Sequence, residues 1–158
     1  MLELLEVSAK LTSATVIGGL IGLNRDLHDK PSGMRTLSIV GLAAASATTL
    51  VADDMDAASR VIQGLVTGIG FLGAGVIIHN RAEGEVEGMT TAASIWLTTC
   101  IGAACGLGAW RLVLVSALLT GIVLIGGKRF KEAITRLFYE PRAADAAGKP
   151  TDDNATKN

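Results

Sequence analysis

Uncharged stretches divide the chain into five apolar segments that alternate with shorter segments rich in charged residues. The uncharged runs cover residues 11–24, 36–52, 61–80, 88–110 and 112–127. Strands of that length would need turn punctuation inside the runs, which the sequence lacks, so the pattern predicts helices. The predicted helices cover about 4–23, 36–53, 60–79, 89–107 and 110–128.

Span length decides which of these helices can cross a bilayer. The third and fourth runs, of 20 and 23 residues, can cross about 30 Å of hydrocarbon at about 1.5 Å per residue. The first is long enough if it begins near Leu4, with Glu6 and Lys10 paired at i,i+4 and directed outward. The second and fifth are marginal, and we expect Trp110 to anchor the fifth at the interface.

The composition also favours a bilayer over water as the solvent. The chain has 158 residues, enough for one domain, of which 18% are charged and 49% hydrophobic, whereas soluble domains have about 25% charged residues. Its mean hydropathy is +0.45. We therefore predict an all-α integral membrane bundle of five transmembrane helices, with residues 1–138 as one transmembrane domain and residues 139–158 as a disordered cytoplasmic tail. Its first predicted partner is the lipid bilayer.

Basic residues in the short flanks predict the orientation. One side of the predicted bundle carries Arg25, Lys30, Arg35, Arg81, Lys128, Arg129, Lys131 and Arg136, and the other carries Lys10, Arg60 and Arg111. Eight residues against three place the C-terminus in the cytoplasm and the N-terminus outside. Acids precede the first apolar stretch and no basic n-region is present, so a cleaved signal peptide is not expected.

The segment GIGFLGAG, residues 68–75, places Gly68, Gly70 and Gly73 at the G-x-G-x-x-G spacing of a dinucleotide-binding turn. Such a turn needs a preceding strand and an acid about 20 residues later at the end of a second strand. Here the glycines lie within one apolar run, and the acids near that distance lie in a polar loop. The spacing therefore predicts no nucleotide site, and no other pattern predicts a cofactor.

Small residues four positions apart recur in the predicted helices. The pairs are Gly18 and Gly22, Gly64 and Gly68, Gly70 and Ala74, and Gly102 and Gly106. In lipid, helices associate through the close backbone approach that such faces allow. We expect these faces to pack helices within the chain or to form a homodimer. The glycines of the third helix, Gly75 included, would also let it kink or approach a bound group.

Three separated motifs carry a resemblance to a known family. They are GGLIGLNRDLHDKPSGMRT, RVIQGLVTGIGFLGAGVI and VEGMTTAASIWLTTCIGAACGLG, in that order. Together they resemble the MgtC/SapB family of bacterial inner-membrane proteins over about residues 11–108. The resemblance implies a membrane protein linked to growth under magnesium limitation and, in pathogens, to survival inside macrophages.

The family pattern falls on loop and helix positions of this chain. They are Gly22, Arg25, Gly33, Arg35, Thr36, Asp56, Arg60, Gly68 to Gly75, Gly88, Thr90, Thr91, Ala92 and Trp96. Asn24 stands where members usually have Glu, which removes a carboxylate that would pair with Arg25 or Arg35. Leu37 and Glu87 also depart from the pattern, and longer relatives carry a soluble C-terminal domain after this region.

A magnesium transporter is the alternative that the resemblance suggests. A pathway for a cation across the membrane would usually leave an acidic residue inside a helix, and the second to fifth uncharged runs have none. Thr91, Ser94 and Thr98 share one face of the fourth helix, from which they can bond to Gln63 and Thr67 on the third. We therefore predict a packed polar seam between these helices in preference to a permeation path.

Charged residues gather at the ends of the predicted helices instead. The acids at 53–56 lie on the predicted outer side and those at 83–87 on the cytoplasmic side, where either group can bind a hydrated cation loosely. Asp56 also precedes Arg60 by four residues at the start of a helix, where a carboxylate complements the helix dipole.

Catalysis has little support in the sequence. His28 and His79 have no nucleophile near them in the pattern, and no metal-ligand spacing is present. Cys100 and Cys105, five positions apart in an apolar run, are expected to be buried thiols. No basic cluster with interleaved aromatics points to nucleic acid.

The sequence therefore predicts a non-enzymatic inner-membrane protein that adjusts ion or energy homeostasis through another membrane protein. Its predicted cytoplasmic face of Arg25, Asp26 and Arg35, together with its glycine-rich helices, would contact that partner or lipid. The alternative is a secondary transporter or channel for a cation.

Overall fold

The computed structural model describes residues 1–79 and 88–139, and all their side chains except those of 78–79, 125 and 127–139. It contains five helices: α1 (Leu2–Asp26), α2 (Met34–Thr49), α3 (Met55–His79), α4 (Met89–Gly106) and α5 (Trp110–Tyr139). No strand occurs in the described ranges. The predicted all-α fold with five helices is confirmed.

α3 and α5 extend furthest beyond their predicted bounds because charged residues do not end them, while the ends of α1 and α2 differ from their predicted positions by two to four residues. α3 begins at Met55 since the Asp54 carboxylate accepts hydrogen bonds from the amides of Asp56 and Ala57, both at 3.0 Å. That carboxylate satisfies amides that a helix start otherwise leaves without partners. α5 continues through the basic residues after 127 and ends at Tyr139. The predicted tail at 139–158 lies outside the described residues, apart from Tyr139, which is the last residue of α5.

Three helices are long and apolar enough to span a bilayer by length and composition: Leu2–Asp26, Met55–Ile77 and Met89–Gly106. The apolar part of α5, Trp110–Leu124, is shorter, and α2 has 16 residues. The crossing of the bilayer by α2 and α5 therefore stays a prediction, as does the orientation of the termini.

Small side chains form most of the core where α1, α2 and α4 meet. α4 contacts α1, α2 and α3, and the segment 101–106 of α4 is buried throughout. The fully buried positions include Ala14, Leu37, Ala45, Ile95 and Cys105. Helices in lipid gain little from burying large apolar groups, so close backbone packing at small residues holds such a bundle together.

The chain divides into two compact units. The first, Met1–Gly121, contains α1 to α4 and the start of α5. The second begins at Ile122, and its described part is the rest of α5. All residues discussed below lie in the first unit.

Candidate functional site

Glycines of α1 bring its backbone into direct contact with α2. A Cβ added at Gly18 would lie 2.4 Å from the Leu37 carbonyl oxygen. One added at Gly22 would lie 2.5 Å from the Cα of Met34. No side chain larger than hydrogen fits at either position, so this predicted small-residue face packs α1 against α2.

The glycines of α4 contact α2 in the same way. An added Cβ would lie 2.5 Å from the Gly41 carbonyl oxygen at Gly102, and 2.4 Å from the Ala45 carbonyl oxygen at Gly106. The Thr48 hydroxyl fills the remaining space, where its oxygen lies 3.1 Å from the Ala103 carbonyl oxygen and 3.0 Å from the Ala44 carbonyl oxygen of its own helix. Two of the four small-residue pairs found in the sequence are thus used inside the chain, both against α2.

The glycines of α3 have a different environment. Residues 68–75 lie within the continuous helix α3, which excludes a nucleotide-binding turn there. An added Cβ would find no atom within 4 Å at Gly64, Gly68, Gly70 or Gly75, while at Gly73 it would lie 3.4 Å from the Cβ of Ala92 on α4. At 3.6 residues per turn, Gly64, Gly68 and Gly75 share one side of the helix, and we call these three the open glycine face of α3; Gly70 lies on a different side.

An apolar groove borders this face between α2 and α3. Its lining includes Ile39 and Ala43 from α2 and Gly64, Gly68 and Leu72 from α3, and its volume is about 450 Å³. Gly64 and Gly68 add no side chains to the α3 wall of this groove, which Leu65 and Leu72 also line.

Arg25 lies in the last turn of α1 and is buried. The residue is only 5% exposed, and its Nη2 donates a hydrogen bond to the Thr91 hydroxyl in the first turn of α4. Its Nε has no hydrogen-bond partner among the described residues. Among the described residues this Nε is the one buried side-chain nitrogen or oxygen without a hydrogen-bond partner, and leaving part of a buried charge unpaired costs stability.

Asp26 ties the end of α1 to the start of α2. Its carboxylate Oδ2 accepts a hydrogen bond from the Met34 amide at 2.9 Å, which is the first amide of α2. The connecting loop is tight: Asp29 and Ser32 adopt φ of 51° and 62°, in the left-handed region. Gly33 is required beside the carboxylate, because an added Cβ would lie 1.6 Å from Asp26 Oδ1.

Other predicted site residues lie on the surface. Arg35, Thr36, Thr90 and Trp96 are exposed in this chain. Arg35 is at one end of a second apolar groove, of about 480 Å³, between α1 and α2. Arg25 and Arg35, which the sequence grouped as one cytoplasmic face, therefore have different environments, one buried and one open.

The start of α3 carries the remaining predicted polar residues. Asp56, Arg60 and Gln63 are all exposed. Asp56 lies in the first turn of α3, as predicted, but no ion pair joins it to Arg60, although both side chains are described. The helix-capping contacts come from Asp54 instead.

The predicted polar seam between α3 and α4 is wrong. Thr91, Ser94 and Thr98 are buried, but Gln63 and Thr67 are exposed and do not meet them. Ser94 and Thr98 donate to carbonyls four residues earlier in α4, both at 2.8 Å. A hydroxyl that bonds its own helix needs no partner on a neighbour, and residue spacing alone does not distinguish the two outcomes.

Lys10 is buried, whereas its side chain was predicted to be directed outward. Its predicted ion pair with Glu6 is confirmed, with Nζ and Oε1 2.7 Å apart. The lysine is only 8% exposed, however, and does not point outward. It lies beside Gly108, whose φ is 70° and whose added Cβ would be 3.5 Å from Lys10 Cε.

Comparison with known proteins gives the chain a family. The MgtC family model matches residues 11–133. SrpB of Synechococcus elongatus is 36% identical over 141 residues, covering 80% of this chain and 78% of that protein. MgtC of Salmonella typhimurium is 36% identical over 140 residues, covering 85% of this chain and 57% of that protein.

A third relative, MgtC of Brucella abortus, is 39% identical over 109 residues, which are 66% of this chain and 44% of that protein. The chain thus spans about half the length of the MgtC proteins that it matches. No solved structure matches it. The family match over most of the chain, the five helices and the long apolar spans agree, and the chain belongs to the MgtC family of membrane proteins.

Proposed function

We propose that this chain is a non-enzymatic, multi-pass protein of the bacterial inner membrane that modulates ion or energy homeostasis by binding another membrane protein. The link to magnesium limitation follows from the family resemblance. The observation that carries the association role is the open glycine face of α3.

The open glycine face fits a helix from a partner better than it fits lipid. Gly64 and Gly68 are four residues apart, the spacing at which two transmembrane helices approach most closely. The equivalent pairs of α1 and α4 are already in backbone contact with α2. A glycine pair that permits close helix packing therefore remains available on α3, beside a groove that can receive side chains of a second helix.

The buried charges favour a modulator over a cation carrier. Among the described residues the buried charged side chains are Lys10 and Arg25, and no buried carboxylate accompanies them. Magnesium favours carboxylate oxygens and keeps much of its hydration shell. An interior of this sign repels a cation, which weighs against the alternative of a cation transporter or channel.

A matched pair of substitutions tests the association role. Gly68→Ile and Gly121→Ile each add a side chain where an added Cβ has no atom within 4 Å, but only Gly68 belongs to the open glycine face. A deletion strain in magnesium-poor medium would be complemented with wild type or either variant, at equal membrane levels. We expect Gly121→Ile to restore growth and Gly68→Ile to fail.

Full rescue by Gly68→Ile would show that α3 is not the partner surface. Reconstitution of the purified wild-type chain alone in vesicles containing a magnesium-sensitive dye separates the alternatives. A modulator leaves the dye signal unchanged, whereas a dye signal from magnesium entry would establish that the chain is a transporter or channel.

A further inference from the structure

Arg25 and the start of α4 bring hydrogen-bond donors together, and no carboxylate among the described residues pairs with the guanidinium. The guanidinium is 95% buried, its Nη2 donates to the neutral Thr91 hydroxyl, and its Nε has no partner among the described residues. Thr91 is the third residue of α4, so the cation lies at the first turn of that helix. A guanidinium can donate five hydrogen bonds, and a single hydroxyl leaves most of that capacity unused.

The carbonyl groups at the end of α1 do not supply the missing acceptor for Arg25. Four of them are engaged: the Leu23 oxygen by the Leu27 amide, the Asn24 oxygen by the His28 ring, the Arg25 oxygen by the His28 and Lys30 amides, and the Asp26 oxygen by the Asp29 amide. The carboxylate of the adjacent residue, Asp26, accepts from the first amide of α2.

The N-terminus of α4 adds further donors at the same place. Its N-cap residue is Gly88, which has no side chain to accept from the first amides, and no side-chain cap is formed. The amides of Met89, Thr90 and Thr91 have no acceptor among the described residues, whereas Ala92 bonds the Gly88 oxygen at 2.9 Å. The positive end of the α4 dipole therefore adds to the field of the buried guanidinium.

We propose that this end of the bundle is an oxyanion site, in which Arg25 Nε and the first amides of α4 bind a phosphate-type group. Unpaired amides at a helix N-terminus together with an arginine are the elements that bind phosphate in many proteins. α1 is a candidate span that ends at Asp26, so a phospholipid headgroup and free inorganic phosphate are the two sources of this chemistry. The site goes beyond the proposed function and does not depend on it.

Thermal unfolding of the full chain in a maltoside detergent, followed by tryptophan fluorescence, tests the site. One arm adds inorganic phosphate against chloride at equal ionic strength, and the other adds phosphatidylglycerol against a phosphate-free glycolipid. A ligand that binds the folded state raises the unfolding temperature with the logarithm of its concentration. A response to phosphate alone identifies the free anion, and a response confined to phosphatidylglycerol identifies the headgroup. If the unfolding temperature rises in neither arm, the proposal is overturned.

Arg25→Gln and Arg35→Gln form a matched pair, because both remove one positive charge on the same predicted side. Arg25 is buried at the site, and Arg35 is exposed. We expect Arg25→Gln to weaken the apparent affinity about tenfold or more, the scale of lost charge-assisted hydrogen bonds. If Arg25→Gln does not fold, Arg25→Lys replaces it, since lysine keeps the charge but lacks the Nε donor. Equal losses for both variants would show that the response depends on general surface charge, and would refute the site.

The acids that precede Gly88 in sequence are the intramolecular rival for Arg25. A variant with Glu83→Gln, Glu85→Gln and Glu87→Gln removes them together. An unchanged phosphate or lipid response in this variant supports an external oxyanion. A response that appears only after the three acids are removed shows that a carboxylate of the chain holds Arg25, and it overturns the proposal.

Discussion

Gly18→Ala adds one methyl group where the backbones of α1 and α2 are in contact. The new Cβ would lie 2.4 Å from the Leu37 carbonyl oxygen and 2.9 Å from its carbonyl carbon. Ordinary contacts of a Cβ begin near 3.4 Å, so the two helices must separate by about 1 Å at this point. The obstructing atoms belong to backbone, and no side-chain rotation relieves the clash.

The expected cost follows from two opposing effects. Overpacking of a tight interface costs about 1–3 kcal/mol. Replacing a helical glycine by alanine returns about 0.5–1 kcal/mol through the lower entropy of the unfolded chain. We therefore expect Gly18→Ala to lower the free energy of unfolding by about 1–2 kcal/mol.

Gly68→Ala is the matched control, because an added Cβ at Gly68 has no atom within 4 Å. This variant should gain stability by up to about 1 kcal/mol from helix propensity alone. Denaturant unfolding of both purified variants in the same detergent, followed by tryptophan fluorescence, measures the difference. Equal stabilities for the two variants would refute the close approach of α1 to α2.

Three other substitutions probe single contacts, each measured by thermal unfolding. Gly88→Ala should destabilise by about 1–2 kcal/mol, because Gly88 has a φ of 90° that L-residues adopt at a cost; an unchanged midpoint would argue against that conformation. Asp26→Asn should cost about 1 kcal/mol by weakening the cap on the first amide of α2, while Asp53→Asn, at an exposed position, should change little. Thr48→Val should cost about 1 kcal/mol more than Thr120→Val, because the Thr48 hydroxyl lies within bonding distance of a carbonyl of α4 as well as of its own helix, while the Thr120 hydroxyl bonds its own helix; equal costs would contradict the contact between helices.

The uncharged runs predicted every helix because the exclusion of charge from a span is local along the chain. They did not predict which helices are neighbours, since the four-residue spacing of Gly18 and Gly22 is the same as that of Gly64 and Gly68. Only the folded chain shows that the first pair contacts α2, whereas a Cβ added at either glycine of the second pair has no atom of the described residues within 4 Å. Partner choice depends on how each helix is rotated about its axis, which residue spacing does not contain.

The same limit explains the two errors at polar residues. Ser94 lies on the predicted face of α4, yet its hydroxyl bonds the carbonyl of Thr90 instead of crossing to α3. Lys10 has the predicted partner Glu6, but the lysine packs beside Gly108 and is buried. Arg25 was predicted as a site residue, while its contact with Thr91 joins positions 66 residues apart and leaves no trace in local pattern.

Backbone contact on both sides of α2 makes the tolerance of this bundle to substitution directional. Cores filled by large side chains lose stability mainly when atoms are removed and cavities open. Here the interface positions Gly18, Gly41 and Gly102 already have the smallest possible residue, and every accessible change adds atoms. In a saturation-mutagenesis library, almost no functional variants should carry a substitution at these three positions. Gly68 should accept many substitutions unless a partner selects against them. Sequence variation among functional variants would then record, position by position, which surfaces of the chain are occupied in the cell.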